Sequence, residues 1–170
     1  MPSSPAHALA AALARRPGWG RWIGPDDAVV VAQAACLAAL AWPGRPRWRL
    51  GPGAAAAAGT AMVAGATFAV AAGSAHGTRL TPRVEPPDDA PLLTTGPYAV
   101  SRNPIYGGLL LGTSGWAVLR RRPEPLLAWG ALLAVLTRKA VREERRLAAR
   151  YGPTFEAYRA RTPRFLGLPR

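Results

Sequence analysis

The sequence predicts an all-α integral membrane protein of about four transmembrane helices, the last two forming a helical hairpin, followed by a cytoplasmic amphipathic tail. Three observations predict it. Residues 28–42, 53–75, 104–119 and 126–137 contain no charged side chain. Proline–glycine pairs and arginine clusters punctuate the chain between them. The cations divide unevenly: with four spans, the N-terminus, the 76–103 loop and the C-terminal tail share one side and hold 16 of the 22, while the other two connections hold 6. The positive-inside rule then places the long loop and the tail in the cytoplasm, in a bacterial inner membrane.

The elements follow in order within a single domain, residues 1–170. Residues 1–24 mix Ala and Leu with Arg15, Arg16 and Arg21, and the cations follow the apolar part, the wrong order for a signal peptide. Trp19 and Trp22 suit a membrane–water boundary, so this segment reads as interfacial. The 28–42 run reaches about 22 Å at the helical rise, short of the roughly 30 Å hydrocarbon core, and a buried helix of a soluble domain is the alternative. The 53–75 run is long enough to span. Its small residues Ala57, Ala61, Gly65, Ala69 and Gly73 recur every four positions, a stripe that would let helix backbones approach closely in lipid. Arg120-Arg121-Arg122-Pro123-Glu124-Pro125 is the tight connection of the hairpin. Three arginines at a hairpin tip sit awkwardly with a full crossing.

Composition narrows the function. A net charge of +13 beside 49% hydrophobic residues fits a nucleic-acid binder, a ribosome-like protein or a membrane protein with basic loops. The cations lie between apolar runs rather than interleaved with aromatics along one face, which disfavours nucleic acid. Cys36 stands alone in an apolar run, and His7 and His76 are far apart. No intrachain disulfide is possible, and no metal cluster or nucleophilic triad suggests itself. An enzyme with so little reactive machinery would draw its chemistry from a bound cofactor.

The rest of the chain is organised around Leu93–Gly108. Gly96-Pro97 marks a turn, and Asn103 before Pro104 reads as a helix N-cap and first helical residue. Arg102 and Asn103 then stand at a helix mouth whose free N–H groups suit an anion. The hairpin returns whatever follows Thr137 to the same membrane side. On a helical wheel, Ala140, Val141, Leu147, Ala148 and Tyr151 share a face, with Glu144 in its middle and Glu143 at its edge. A carboxylate on a packing face is costly unless paired. Two readings stand: an ion pair with an arginine such as Arg102, or contact with a ligand bearing hydroxyls or positive charge. Further on, aromatics alternate with arginines in residues 155–165, as on a membrane surface, and Arg164 could face an anionic substrate or lipid phosphate.

The run GPYAVSRNPIYGG, the apolar hairpin, and then REERRLAARYGPTFEAYRARTPRF resemble the isoprenylcysteine carboxyl methyltransferase family and the related bacterial phospholipid methyltransferase-like proteins. The resemblance covers residues 77–165. It implies an integral-membrane enzyme that uses S-adenosylmethionine (SAM) to methylate a lipophilic or lipid acceptor, with no nucleic-acid partner. It implies that Arg102, Asn103, Pro104, Tyr106 and Gly108 line the cofactor on one side, and Glu143 and Glu144 on the other. It also implies that Arg164 lies near the methyl acceptor, with Asn103 as the second catalytic position. Asn103 stands where the isoprenylcysteine enzymes carry histidine; an amide can hydrogen-bond but cannot titrate. Tyr98, Tyr106 and Tyr151 supply aromatic faces for adenine or the sulfonium. A non-enzymatic membrane protein that binds anionic lipid is the alternative.

Overall fold

The computed structural model describes residues 25–75 and 92–167; the interfacial reading of 1–24 and most of the long loop lie outside them. Six helices occupy the described residues, and there is no strand among them. They are α1 (Pro25–Ala41), α2 (Pro52–Ser74), α3 (Pro97–Val100), α4 (Pro104–Leu119), α5 (Pro123–Tyr151) and α6 (Pro153–Arg161). Every one begins with proline, whose preset φ suits the first helical position and whose missing N–H would have had no partner there. The second hairpin arm starts at Pro123, two residues before Pro125, so its turn is tighter than the sequence suggests.

Of the described helices, Pro52–Ser74 is the one long and apolar enough to cross a membrane, and Ala28–Ala41 is a shorter apolar stretch. Much of α2 faces outward, with Val63 63% and Val70 72% exposed. Its inward face packs on α4, the most extensive helix pairing in the structure, while α1 packs mainly on α5. The hairpin of α4 and α5 is present but is the smaller contact. Trp129 in α5 ties it by donating its indole N–H to the Leu110 carbonyl at 2.9 Å.

The α2–α4 seam corrects the predicted stripe. Ala58, Gly65 and Ala72 are buried, and Ala58, Met62, Gly65 and Ala69 meet α4. That spacing alternates four and three residues. A strict four-residue stripe drifts about 40° round the helix at each step, so only its middle members, Gly65 and Ala69, stay on the contact. The partner residues on α4 are Gly108, Gly112 and Gly115. A methyl placed on Gly65 would overlap the Gly112 amide nitrogen and the Gly108 carbonyl, so the two backbones touch directly.

The core between the helix pairs contains Leu40, Leu110, Ala117, Leu132 and Leu136, with Cys36 and Phe165 packed at its edge. Leu132, Leu136, Ala140 and Glu144 are all buried, four residues apart along α5. Register follows from length. The 16 residues of α4 climb about 24 Å, which is reached on α5 near residue 139, so Glu143 and Glu144 stand about one turn beyond the mouth of α4. The aromatics of the tail do not face outward as predicted. Phe155 and Tyr158 are buried, edge to face at 6.2 Å between ring centres.

Candidate functional site

The site is built where three segments meet: 101–103 before α4, the second half of α5, and 159–164 at the end of α6 and just beyond it. Glu144 is its centre. Only 5% of it is exposed, and its carboxylate accepts four hydrogen bonds. Asn103 Nδ2 donates to Oε1 at 3.0 Å and Arg102 Nη2 to Oε2 at 3.2 Å. Arg164 grips it side-on, Nε to Oε1 at 3.0 Å and Nη2 to Oε2 at 3.1 Å. Burial alone would raise the Glu144 pKa; the hydrogen bonds and charges of Arg164 and Arg102 outweigh it and hold the carboxyl below its usual 4.5. Two guanidiniums against one carboxylate leave the cluster a net cation.

Backbone pairing fixes the segment that carries these donors. The Arg102 N–H donates to the Pro163 carbonyl at 2.8 Å and the Asn103 N–H to the Arg164 carbonyl at 3.1 Å. Ser101, fully buried, donates its hydroxyl to the Arg164 carbonyl at 3.1 Å. Arg102 Nη1 donates to the carbonyls of Arg159, at 2.9 Å, and Thr162. One donor is left over: the buried Nε of Arg102 has no partner among the described residues.

These residues fall, for the most part, in a stretch that matches a known family. Residues 54–154 match the family model described as phospholipid methyltransferase. The chain belongs to the phospholipid methyltransferase family. No curated protein and no solved structure matches the chain. The family match takes in Tyr98, Arg102, Asn103, Pro104, Tyr106, Gly108, Glu143 and Glu144, and it ends before Arg164.

In this phospholipid methyltransferase family member the remaining candidate residues separate into neighbours and outliers. The Tyr106 hydroxyl donates to Glu143 Oε1 at 2.7 Å, and the Lys139 ammonium lies 5.1 Å from the centre of the Tyr106 ring. Pro104 is fully buried at the first turn of α4. Asn103 occupies the N-cap position, but its side chain makes no cap hydrogen bond and turns to Glu144 instead. Tyr98 joins through its backbone: its carbonyl accepts the Tyr158 hydroxyl at 2.6 Å. Burial first, then the neighbouring Tyr158 and Glu143, push the Tyr98 phenol up to about 12. Gly108 is placed away from the cluster, against the Gly65 carbonyl and Ala69 of α2.

Sequence reasoning missed four participants. Ser101 and Thr162 carry no chemical signature; they matter through position, beside Arg102 and opposite it. Tyr158 lies in a stretch read as a surface pattern of aromatics and arginines. Lys139 was legible in one respect, as the single lysine among 22 cations.

Proposed function

We propose that this chain transfers a methyl group from SAM to a lipophilic or membrane-embedded acceptor, with a lipid headgroup favoured by its family over a carboxylate or free amine. In this reading α1, α2, α4 and α5 form four spans of a bacterial inner membrane, and the Glu144 cluster with the tail lies on the cytoplasmic side, where most cations gather. SAM, when bound, supplies an electrophilic methyl on a sulfonium.

The observation that carries the proposal is the convergence of Arg102 and Asn103 on buried Glu144, with half-buried Glu143 next to it on Tyr106 and the Arg102 Nε–H left without an acceptor. A net-cationic site with an unmet donor fits the cofactor carboxylate. Glu144 is already satisfied by Arg102, Asn103 and Arg164, so its part is to hold those three side chains in place. Glu143, half-buried and bonded to the Tyr106 hydroxyl, is the carboxylate suited to ribose hydroxyls or the cofactor ammonium. The Tyr98 and Tyr106 rings, with Pro104, would form the apolar wall. Arg164, the more exposed of the two arginines on Glu144, would orient the acceptor. Asn103 cannot take a proton, so its part is positioning. Methyl transfer needs no enzyme nucleophile; holding both reactants in line and excluding water are tasks these residues can perform.

Calorimetry on the detergent-purified chain tests this. SAM and S-adenosylhomocysteine are expected to bind. Glu143→Ala is expected to weaken that binding at least tenfold while leaving thermal stability nearly unchanged. Absence of binding by either nucleoside to the folded wild type overturns the proposal. Labelled-methionine lipidomics of a deletion strain would then identify the acceptor.

A further inference from the structure

The end of the bundle opposite the Glu144 cluster gathers six arginines. Arg45, Arg47 and Arg49 lie in the α1–α2 connection, and Arg120, Arg121 and Arg122 in the α4–α5 turn. Glu124 is the one acidic side chain in residues 42–52 and 119–125, which leaves a net charge of +5 there. The two connections are tied together. The Arg47 N–H donates to the Arg121 carbonyl at 2.8 Å. Arg120 donates to the Trp42 carbonyl at 2.8 Å. Arg122, 5% exposed, donates to the carbonyls of Pro43 at 3.1 Å and Trp42 at 2.6 Å. Its guanidinium passes over Gly44 where any side chain would collide with it. So Arg120 and Arg122 satisfy carbonyls just past the α1 C-terminus, and Arg47 pairs with Glu124.

Arg45, Arg49 and Arg121 are left. None of their guanidiniums has a hydrogen-bond or ion-pair partner among the described residues, and Arg45 and Arg49 are exposed. Around them Trp42, Trp48 and Trp116 expose their rings, and Leu126 and Leu127 are exposed just beyond the turn. Exposed indoles beside exposed leucines mark the depth of a membrane interface. Guanidiniums at that depth meet lipid phosphate, whose oxygens match their paired donors.

We propose that this arginine–tryptophan tip is a binding surface for anionic phospholipid headgroups of the leaflet it faces. The inference rests on the membrane-spanning reading, and not on methyl transfer. It also accounts for six cations on the side that the positive-inside rule disfavours: three are engaged inside the protein, and the other three are neutralised by lipid phosphate. The indoles single out phosphate carried by lipid over free phosphate, because they hold the tip at headgroup level.

The test is a lipid-exchange measurement in phosphatidylcholine nanodiscs containing labelled phosphatidylglycerol. The wild type is compared with Arg45→Gln/Arg49→Gln/Arg121→Gln and with Arg138→Gln/Arg145→Gln/Arg161→Gln, which removes three exposed cations toward the opposite end. Thermal unfolding, read independently of any cofactor, establishes that each variant is folded. The tip variant is expected to lose roughly tenfold or more of the enrichment of phosphatidylglycerol over phosphatidylcholine, and the control variant is expected to keep it. Unchanged enrichment in the tip variant overturns the proposal, as does equal loss in the control. Displacement by inorganic phosphate as effective as that by phosphatidylglycerol would also overturn it.

Discussion

Replacing Glu144 by alanine is the most direct test of how this fold holds its site. The carboxylate is nine-tenths buried and accepts four hydrogen bonds between 3.0 and 3.2 Å. Arg102, with 5% of its side chain exposed, would keep its backbone acceptors at Arg159 and Thr162 but lose its counter-charge. Arg164, at 37%, could turn to water. Removing one partner of a buried ion pair costs about 3–5 kcal/mol, because the other charge stays buried. Summing the four bonds separately would overstate this, since they share one group. For a chain of this size each kcal/mol lowers melting by roughly 2–4 °C. Glu144→Ala is therefore expected to unfold about 10 °C or more below the wild type in a detergent thermal-shift assay. Glu143→Ala, at a half-buried carboxylate that accepts the Tyr106 hydroxyl, should lower melting clearly less than Glu144→Ala. If the two variants melt together, Glu144 is not the buried anchor described here.

Acid probes the same group. Because its folded pKa lies below the ordinary 4.5, the Glu144 contribution is complete above that value and is lost as pH falls through the lower one. The wild-type advantage over Glu144→Gln should shrink as pH drops below 4.5 and stay constant between pH 6 and 8 by thermal shift. On the α2–α4 seam, Gly65→Val should destabilise by about 1–3 kcal/mol or prevent folding. Gly59→Ala, in the same helix where an added methyl meets no neighbouring element, should be neutral or stabilise by up to about 1 kcal/mol; equal effects would refute the close backbone contact. Tyr158→Phe removes the bond to the Tyr98 carbonyl and should cost about 1 kcal/mol in melting, with Leu at the same site costing more.

The readable parts of this chain were those set by one helix and its own period. The start of α4 at Pro104, the stop of α5 before Gly152, whose φ is +50°, and the burial of Glu144 all follow from local rules. On the wheel Glu144 lay among apolar residues and the arginines lay elsewhere, and the structure keeps that division, with Arg142, Arg145, Arg146 and Arg150 exposed. What resisted reading was which face meets which. Alanine is so abundant in α2 that several stripes look alike, and the glycines of α4 choose among them. Two of the three tip arginines, Arg120 and Arg122, looked hard to place because their acceptors are carbonyls of a different loop, nearly 80 residues away.

The tail shows why a site can be incomplete within the stretch that identifies its family. The family match ends at residue 154, yet Arg102 directs its backbone N–H and one guanidinium nitrogen to carbonyls at 159, 162 and 163. Asn103 reaches the Arg164 carbonyl with both its backbone N–H and its side chain. Those acceptors are backbone atoms, so they impose almost nothing on the identity of residues 159–163. They do require the chain to turn back after α5, and that turn is made at Gly152 and Pro153 and held by the buried pair Phe155 and Tyr158. Arg164 is the exception, since its side chain closes on Glu144 from the tail side. The carboxylate at the centre of the site is thus held by donors on both sides of the family match boundary. Its orientation depends on the tail folding as much as on the hairpin.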